Sequence, residues 1–108
     1  YRVIWTAHVA ELSDLSEADR NTCMAVVTEV ERVMRAQLAP AKINLAALGN
    51  MVAHLHWHVI ARYDRDSHFP SSVWASPLRE RDLPREAQLQ RELAACDAAI
   101  AKALARWA

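Results

Sequence analysis

The run His54-Leu55-His56-Trp57-His58-Val59-Ile60 constrains the chain more than any other stretch. In an extended strand, successive side chains point to opposite faces. His54, His56 and His58 would therefore project from one face, spaced roughly 6.5–7 Å apart along it. Leu55, Trp57 and Val59 would project from the other face, which is apolar and has to pack against a core. The chain carries only five histidines, so three at spacing two are not an accident of composition. Whatever the fold, it must cover one side of this strand and leave imidazoles on the other.

The remaining sequence suggests how. Residues 1–6 are rich in β-branched and aromatic types and read as a strand, followed by a connection over 8–15. Ser16 can cap a helix, with Asp19 three residues later. Cys23, Val26, Val27, Val30, Val33, Met34 and Leu38 then recur at steps that define one helix face, and Pro40 ends the helix. Residues 42–48 predict a second strand, Gly49-Asn50 a hairpin turn, and 51–61 the clearest strand. Residues 62–83, with Pro70 and Pro77, read as loop. From Pro84 to residue 107 a C-terminal helix is expected. Its apolar stripe is Leu89, Leu93, Cys96, Ile100, Leu104 and Trp107, which could dock on the sheet or on a partner helix. The order predicts an α+β domain: an antiparallel β-sheet, a long helix packed on it, and a C-terminal helix. The 108 residues suit one domain, 1–108. Because the chain opens on a strand without Met, further N-terminal strands are expected to precede it.

Composition excludes some classes. Apolar residues make up 53% of the chain, too many for a disordered segment. The 13 basic and 13 acidic residues cancel, so no bulk electrostatic hold on nucleic acid or an anionic membrane is expected. No apolar run reaches the length of a membrane span. Cys23 and Cys96 lie on the apolar helix faces, and buried free thiols in a reducing cytoplasm are the preferred reading over a disulfide.

The chemistry of the histidine row has three readings on spacing alone. It could be a catalytic row, a metal-ligand set, or a solvent-facing polar strand. In the first, a neighbour or a backbone carbonyl holds one ring nitrogen protonated, and the other nitrogen faces an electrophile. No acidic or Cys residue at ligand spacing completes a metal site within the motif, which weakens the second.

The motif His-x-His-x-His with apolar x resembles the signature of the histidine triad (HIT) family, and residues 54–60 match it throughout. The stretch from Lys42-Ile43-Asn44-Leu45 to Leu48-Gly49-Asn50 is similar to the family pattern, as is the string around His8 and Asp14-Leu15. Residues 66–74 are similar to a bacterial, dinucleoside polyphosphate hydrolase-like branch. The resemblance spans residues 1 to about 80 and shifts the balance to catalysis. It implies a nucleotide hydrolase or transferase acting at the α-phosphate of dinucleoside polyphosphates or nucleoside phosphoramidates. His56 would be the nucleophile that carries the nucleotidyl group. His54 and His58 would polarise phosphate oxygens and orient it. Asn44, Gly49 and Asn50 would contact ribose or phosphate. The resemblance also implies a homodimer and no cofactor or metal. The alternatives are a nucleotide-binding regulatory module with little turnover and, behind it, a metal-binding domain.

One departure is Met51, where many members carry Ser or Thr. Of the other residues, His8 is read as structural or surface and His68 as a loop residue. Trp5 and Trp57 are read as core. Trp74 is left between a dimer contact and a place near the site. The alternating charges of Arg79-Glu80-Arg81-Asp82 and Arg85-Glu86 read as a solvated face. Arg62 and Arg65 could draw in polyphosphate, with surface solvation the preferred reading.

Overall fold

The computed structural model describes residues 1–108. Three strands, β1 (Arg2–Ile4), β2 (Lys42–Ala46) and β3 (His56–Arg62), form one antiparallel sheet in the order β1-β3-β2. Helix α1 (Glu17–Leu38) separates β1 from β2, and helix α2 (Leu83–Ala103) follows β3. This is the expected α+β architecture.

Helix α1 forms where the periodicity places it. Ser16 accepts a hydrogen bond from the Asp19 N–H and so satisfies one of the four unpaired donors at the helix start. The helix stops one residue before the expected proline boundary, with Ala39 left-handed at φ 45°, a position that glycine more often fills. Its apolar stripe packs on the sheet. Val27, Val30, Met34 and Leu38 are buried with Ile43 of β2, Val59 of β3 and Cys96 of α2. Ile100 and Leu104 from the C-terminal stripe pack against the same core, so that stripe docks within the chain. A second, smaller cluster of Leu15, Cys23 and Leu55 lies under Trp5, Val9, Leu12 and Trp57. Both cysteines are buried and free.

Several boundaries differ from the sequence reading, among them the end of the C-terminal helix, which stops at Ala103 rather than at residue 107. Strand β1 is shorter than 1–6. Helix α2 begins at Leu83, capped by Asp82, which accepts from the Arg85 N–H. The largest change is at β3, which starts at His56 rather than at residue 51. Because β2 ends at Ala46, residues 47–55 form a long connection and not a two-residue hairpin turn. Gly49 still needs its flexibility, with φ +71°, but Asn50 has no positive φ. Residues 51–53 have no partner strand beside them and are exposed, Met51 almost fully at 98%.

Candidate active site

The register defines which side chains share a face with the histidines. Cα partners across β3 pair Ile4 with His56, Arg2 with His58, Ala46 with His58, Asn44 with Ile60 and Lys42 with Arg62. Directly opposed residues in a sheet point to the same side. One face therefore carries His56, His58, Ile60 and Arg62, flanked by Arg2 and Ile4 on one side and Asn44 and Lys42 on the other. The opposite face carries Trp57, Val59 and Ala61, all packed on the core as the alternation requires.

His54 is not part of the strand, which corrects the picture of three imidazoles on one regular face. It precedes β3 by two residues, in a segment tied to the chain that leaves β1. The Trp5 N–H donates to the Leu55 carbonyl at 3.1 Å, and the Leu55 N–H donates to the Val9 carbonyl at 2.8 Å. The ring follows that tether. His54 Nε2 donates to the Trp5 carbonyl oxygen at 2.5 Å, because a carbonyl can only accept. Its Nδ1 lies 2.9 Å from Nδ1 of His8, and the two rings stack at 5.2 Å between centroids. In neutral His54 that nitrogen is an acceptor, so His8 supplies the proton of the contact. His8 is exposed, as the surface reading has it, and through this contact it also stands beside the histidine row. The sequence signal for it was weak: it lies more than forty residues upstream, and only the pairing of the two segments brings it close.

His56 has the most informative geometry. Its Nδ1 lies 2.7 Å from the backbone carbonyl oxygen of His54. Since the carbonyl only accepts, Nδ1 carries the proton, and in the neutral ring Nε2 keeps its lone pair. The His56 and His58 rings meet edge to face at 5.1 Å, and Trp74 meets His58 in the same way at 5.1 Å. Burial pushes the His58 imidazole below its ordinary value, and nearby His56 and Arg2 push it the same way.

Two hollows lie near the row, and only the first has histidines in its wall. One of about 240 Å³ is walled by His54, His56, Gly49, Leu48, Glu11 and Trp57. The other, of about 480 Å³, is walled by Lys42, Asn44, Ala46, Ile60, Val73 and Trp74, among others. Of the candidate phosphate contacts, Gly49 is beside His54 and His56, and Asn44 is on the Trp74 side. Asn50 and Met51 are exposed and line neither hollow. No three His, Cys, Asp or Glu side chains converge as a metal-ligand set.

Arg62 overturns the surface reading. It is 2% exposed and the most deeply buried charge in the chain. Its Nε and Nη2 grip Asp66 at 2.9 and 3.1 Å, Nη1 donates to Asn44 Oδ1 at 2.8 Å, and Nη2 donates to the Ser71 carbonyl at 2.7 Å. Asp66 also accepts backbone N–H bonds from Tyr63, His68 and Phe69. Burial pushes the Asp66 carboxyl up, but the Arg62 guanidinium and those N–H groups outweigh it and hold the group well below the usual carboxylate range. This knot folds the segment after β3 back over the sheet, on the side where Trp74 meets His58. Other residues of the segment behave as expected. His68 is a loop residue that hydrogen-bonds with Ser67, and Arg81 pairs with Glu86 on the surface.

Residues 1–65 match the family model of the HIT domain. The fold is also similar to solved histidine triad proteins. One from Bradyrhizobium japonicum superposes with a TM-score of 0.73 at 29% identity, over 92% of this chain and 73% of that one. One from Marinobacter aquaeolei VT8 gives 0.69 at 25% identity, over 88% and 71%. One from Sinorhizobium meliloti 1021 gives 0.67 at 30% identity, over 92% and 69%. A comparison with curated proteins gave no significant match. The chain belongs to the HIT domain family, whose proteins bind or hydrolyse nucleotides. No helix is long and apolar enough to cross a membrane.

Proposed function

We propose that the protein cleaves nucleotides at the α-phosphate through a covalent nucleotidyl-histidine at His56. The observation that carries this reading is the hydrogen bond from His56 Nδ1 to the His54 carbonyl. It commits the proton to one nitrogen and leaves the Nε2 electron pair for attack. Nε2 forms a bond to phosphorus as the bond to the leaving group breaks and the leaving group departs with its electron pair. A polyphosphate departs as an anion. An amine also takes up a proton from solvent water as it departs, and the water that later attacks gives one back. Water then attacks phosphorus, the P–N bond breaks, and a nucleoside monophosphate leaves with neutral His56 restored. His58 flanks the phosphoryl oxygens, His54 orients His56 through its backbone carbonyl while its own ring is held by Trp5 and His8, and Gly49 borders the hollow beside His56. Asn44 contacts ribose or phosphate, and Asn50 is the outermost of the assigned contacts. No metal or cofactor takes part in either step.

Dinucleoside polyphosphates are the first-choice substrates, on the strength of the 66–74 segment, with nucleoside phosphoramidates next. The protein works as a cytoplasmic homodimer, and residues 1–108 act as one domain. Turnover of diadenosine polyphosphate and adenosine phosphoramidate in the presence of chelator tests the reading. The parent should cleave at least one of them, and folded His56→Ala should lose nearly all activity. Equal activity in the two proteins would remove His56 from the chemistry. A second reading, a nucleotide-binding module with little turnover, draws on Met51, whose exposed thioether stands where many members carry a hydroxyl. It predicts nucleoside monophosphate binding without a His56 adduct.

A further inference from the structure

We propose that Arg62 is a positioning residue that fixes Asn44 as a hydrogen-bond donor to the substrate, so that this wall of the site takes oxygen acceptors. The proposal rests on the nucleotide reading above and deepens it. A guanidinium has donors and no acceptor. The amide atom of Asn44 that faces Arg62 Nη1 at 2.8 Å must therefore be the oxygen. Rotating the amide by half a turn would set N–H against N–H beside a buried cation. The Asn44 NH2 group is thereby forced to face away from Arg62. It has no hydrogen-bond partner in the protein, and it is not among the buried unpaired atoms, so it is open to an incoming ligand.

Its position suits that role. Asn44 lines the hollow of about 480 Å³ with Lys42, Ile60, Trp74 and the acidic Glu31. Its cross-strand partner is Ile60, which puts it one diagonal step, about 7–8 Å, from His58. Trp74, in the same wall, touches His58. Arg62 itself cannot swing out to meet a ligand, because Asp66, Asn44 and Ser71 occupy its nitrogens and Phe69 lies 5.5 Å from it. It acts through Asn44. The ligand group must accept hydrogen bonds, which a phosphate oxygen or a ribose hydroxyl can do.

AMP binding by calorimetry tests this without needing turnover, so a failure of the catalytic reading is seen separately. Asn44→Asp keeps an oxygen for Arg62 but replaces the outward NH2 by an acceptor. It should fold as stably as the parent and bind AMP about tenfold or more weakly. Adenosine locates the contact. A loss confined to AMP puts it at phosphate, and an equal loss for adenosine puts it at ribose. A double-mutant cycle then isolates Arg62. Arg62→Lys should weaken AMP binding in the parent and add little once Asn44 is alanine. Asn44→Asp binding like the parent, or Arg62→Lys costing as much without the amide as with it, would overturn the proposal. Should Arg62→Lys fail to fold, the Asn44→Asp result decides alone. A parent that binds no AMP removes the nucleotide reading and the proposal together.

Discussion

Replacing Asp66 by alanine should destabilise the protein more than any other single change on the loop side of the sheet. Asp66 accepts five hydrogen bonds, two from Arg62 and three from backbone N–H groups. Removing one partner of a buried ion pair costs about 3–5 kcal/mol, mainly because the other charge is left without its counter-ion. Arg62 would keep two acceptors, Asn44 and Ser71, and the Asp66 side chain is 27% exposed, so water can partly replace it. The low end, about 3 kcal/mol, is therefore expected. For a domain of this size that is a melting point lower by about 12–20 °C. Urea or thermal unfolding followed by circular dichroism reads it. The pH dependence adds a sharper check. The folded-state pKa of Asp66 lies below its ordinary 3.8, so its stabilisation is present above that value and fades as pH falls below it. The gap between parent and Asp66→Ala should close in acid. A variant that melts within about 3 °C of the parent at neutral pH, or a gap that stays constant down to about pH 2, would refute the reasoning.

Two further outcomes concern the histidines. His58 has a folded pKa below its ordinary 6.5, so the unfolded chain binds its proton first as pH falls. Stability should drop with falling pH from about 6.5 to the depressed value, and His58→Gln should flatten that part of the profile; identical profiles would contradict the assignment. His8→Phe keeps a ring to stack on His54 but removes the N–H that meets Nδ1. Turnover of the nucleotide substrate should fall about fivefold to tenfold with little change in melting point, and parental turnover would show that the His8–His54 contact is idle.

Much of the fold was legible because its signals are local. The steps of three and four from Cys23 to Leu38 and the Ser16 cap both describe α1 as it stands. The apolar parity of Trp57 and Val59 correctly set the core face of β3. The boundary of β3 was not legible, because it depends on neighbours. Residues 51–53 have strand-like composition, but β2 has already ended at Ala46 and β1 reaches only to His56. With no ladder on either side, backbone groups there have nothing to gain from extended pairing. Leu55 finds partners in Trp5 and Val9, which no local pattern announces.

The site divides along the same line. His56 and His58 could be placed from alternation alone, since both lie within β3. His54 and His8 meet only because the segment after β1 crosses the segment before β3. Arg62 is the instructive miss. A lone arginine after a strand is usually a solvated end, and side-chain type alone favours that reading. Yet its parity was visible: six residues beyond His56 and four beyond His58, it had to point to the histidine face if the strand ran that far. Asp66, four residues on, supplied the counter-charge, and Asn44 a neutral acceptor across the ladder. A buried cation in a water-poor place is stable only when every donor is met. That requirement orders the loop and turns the Asn44 amide outward. The charge of Arg62 is thus spent on geometry, and the other cations on this face are Lys42, across the ladder from Arg62, and the exposed Arg2 beside His58.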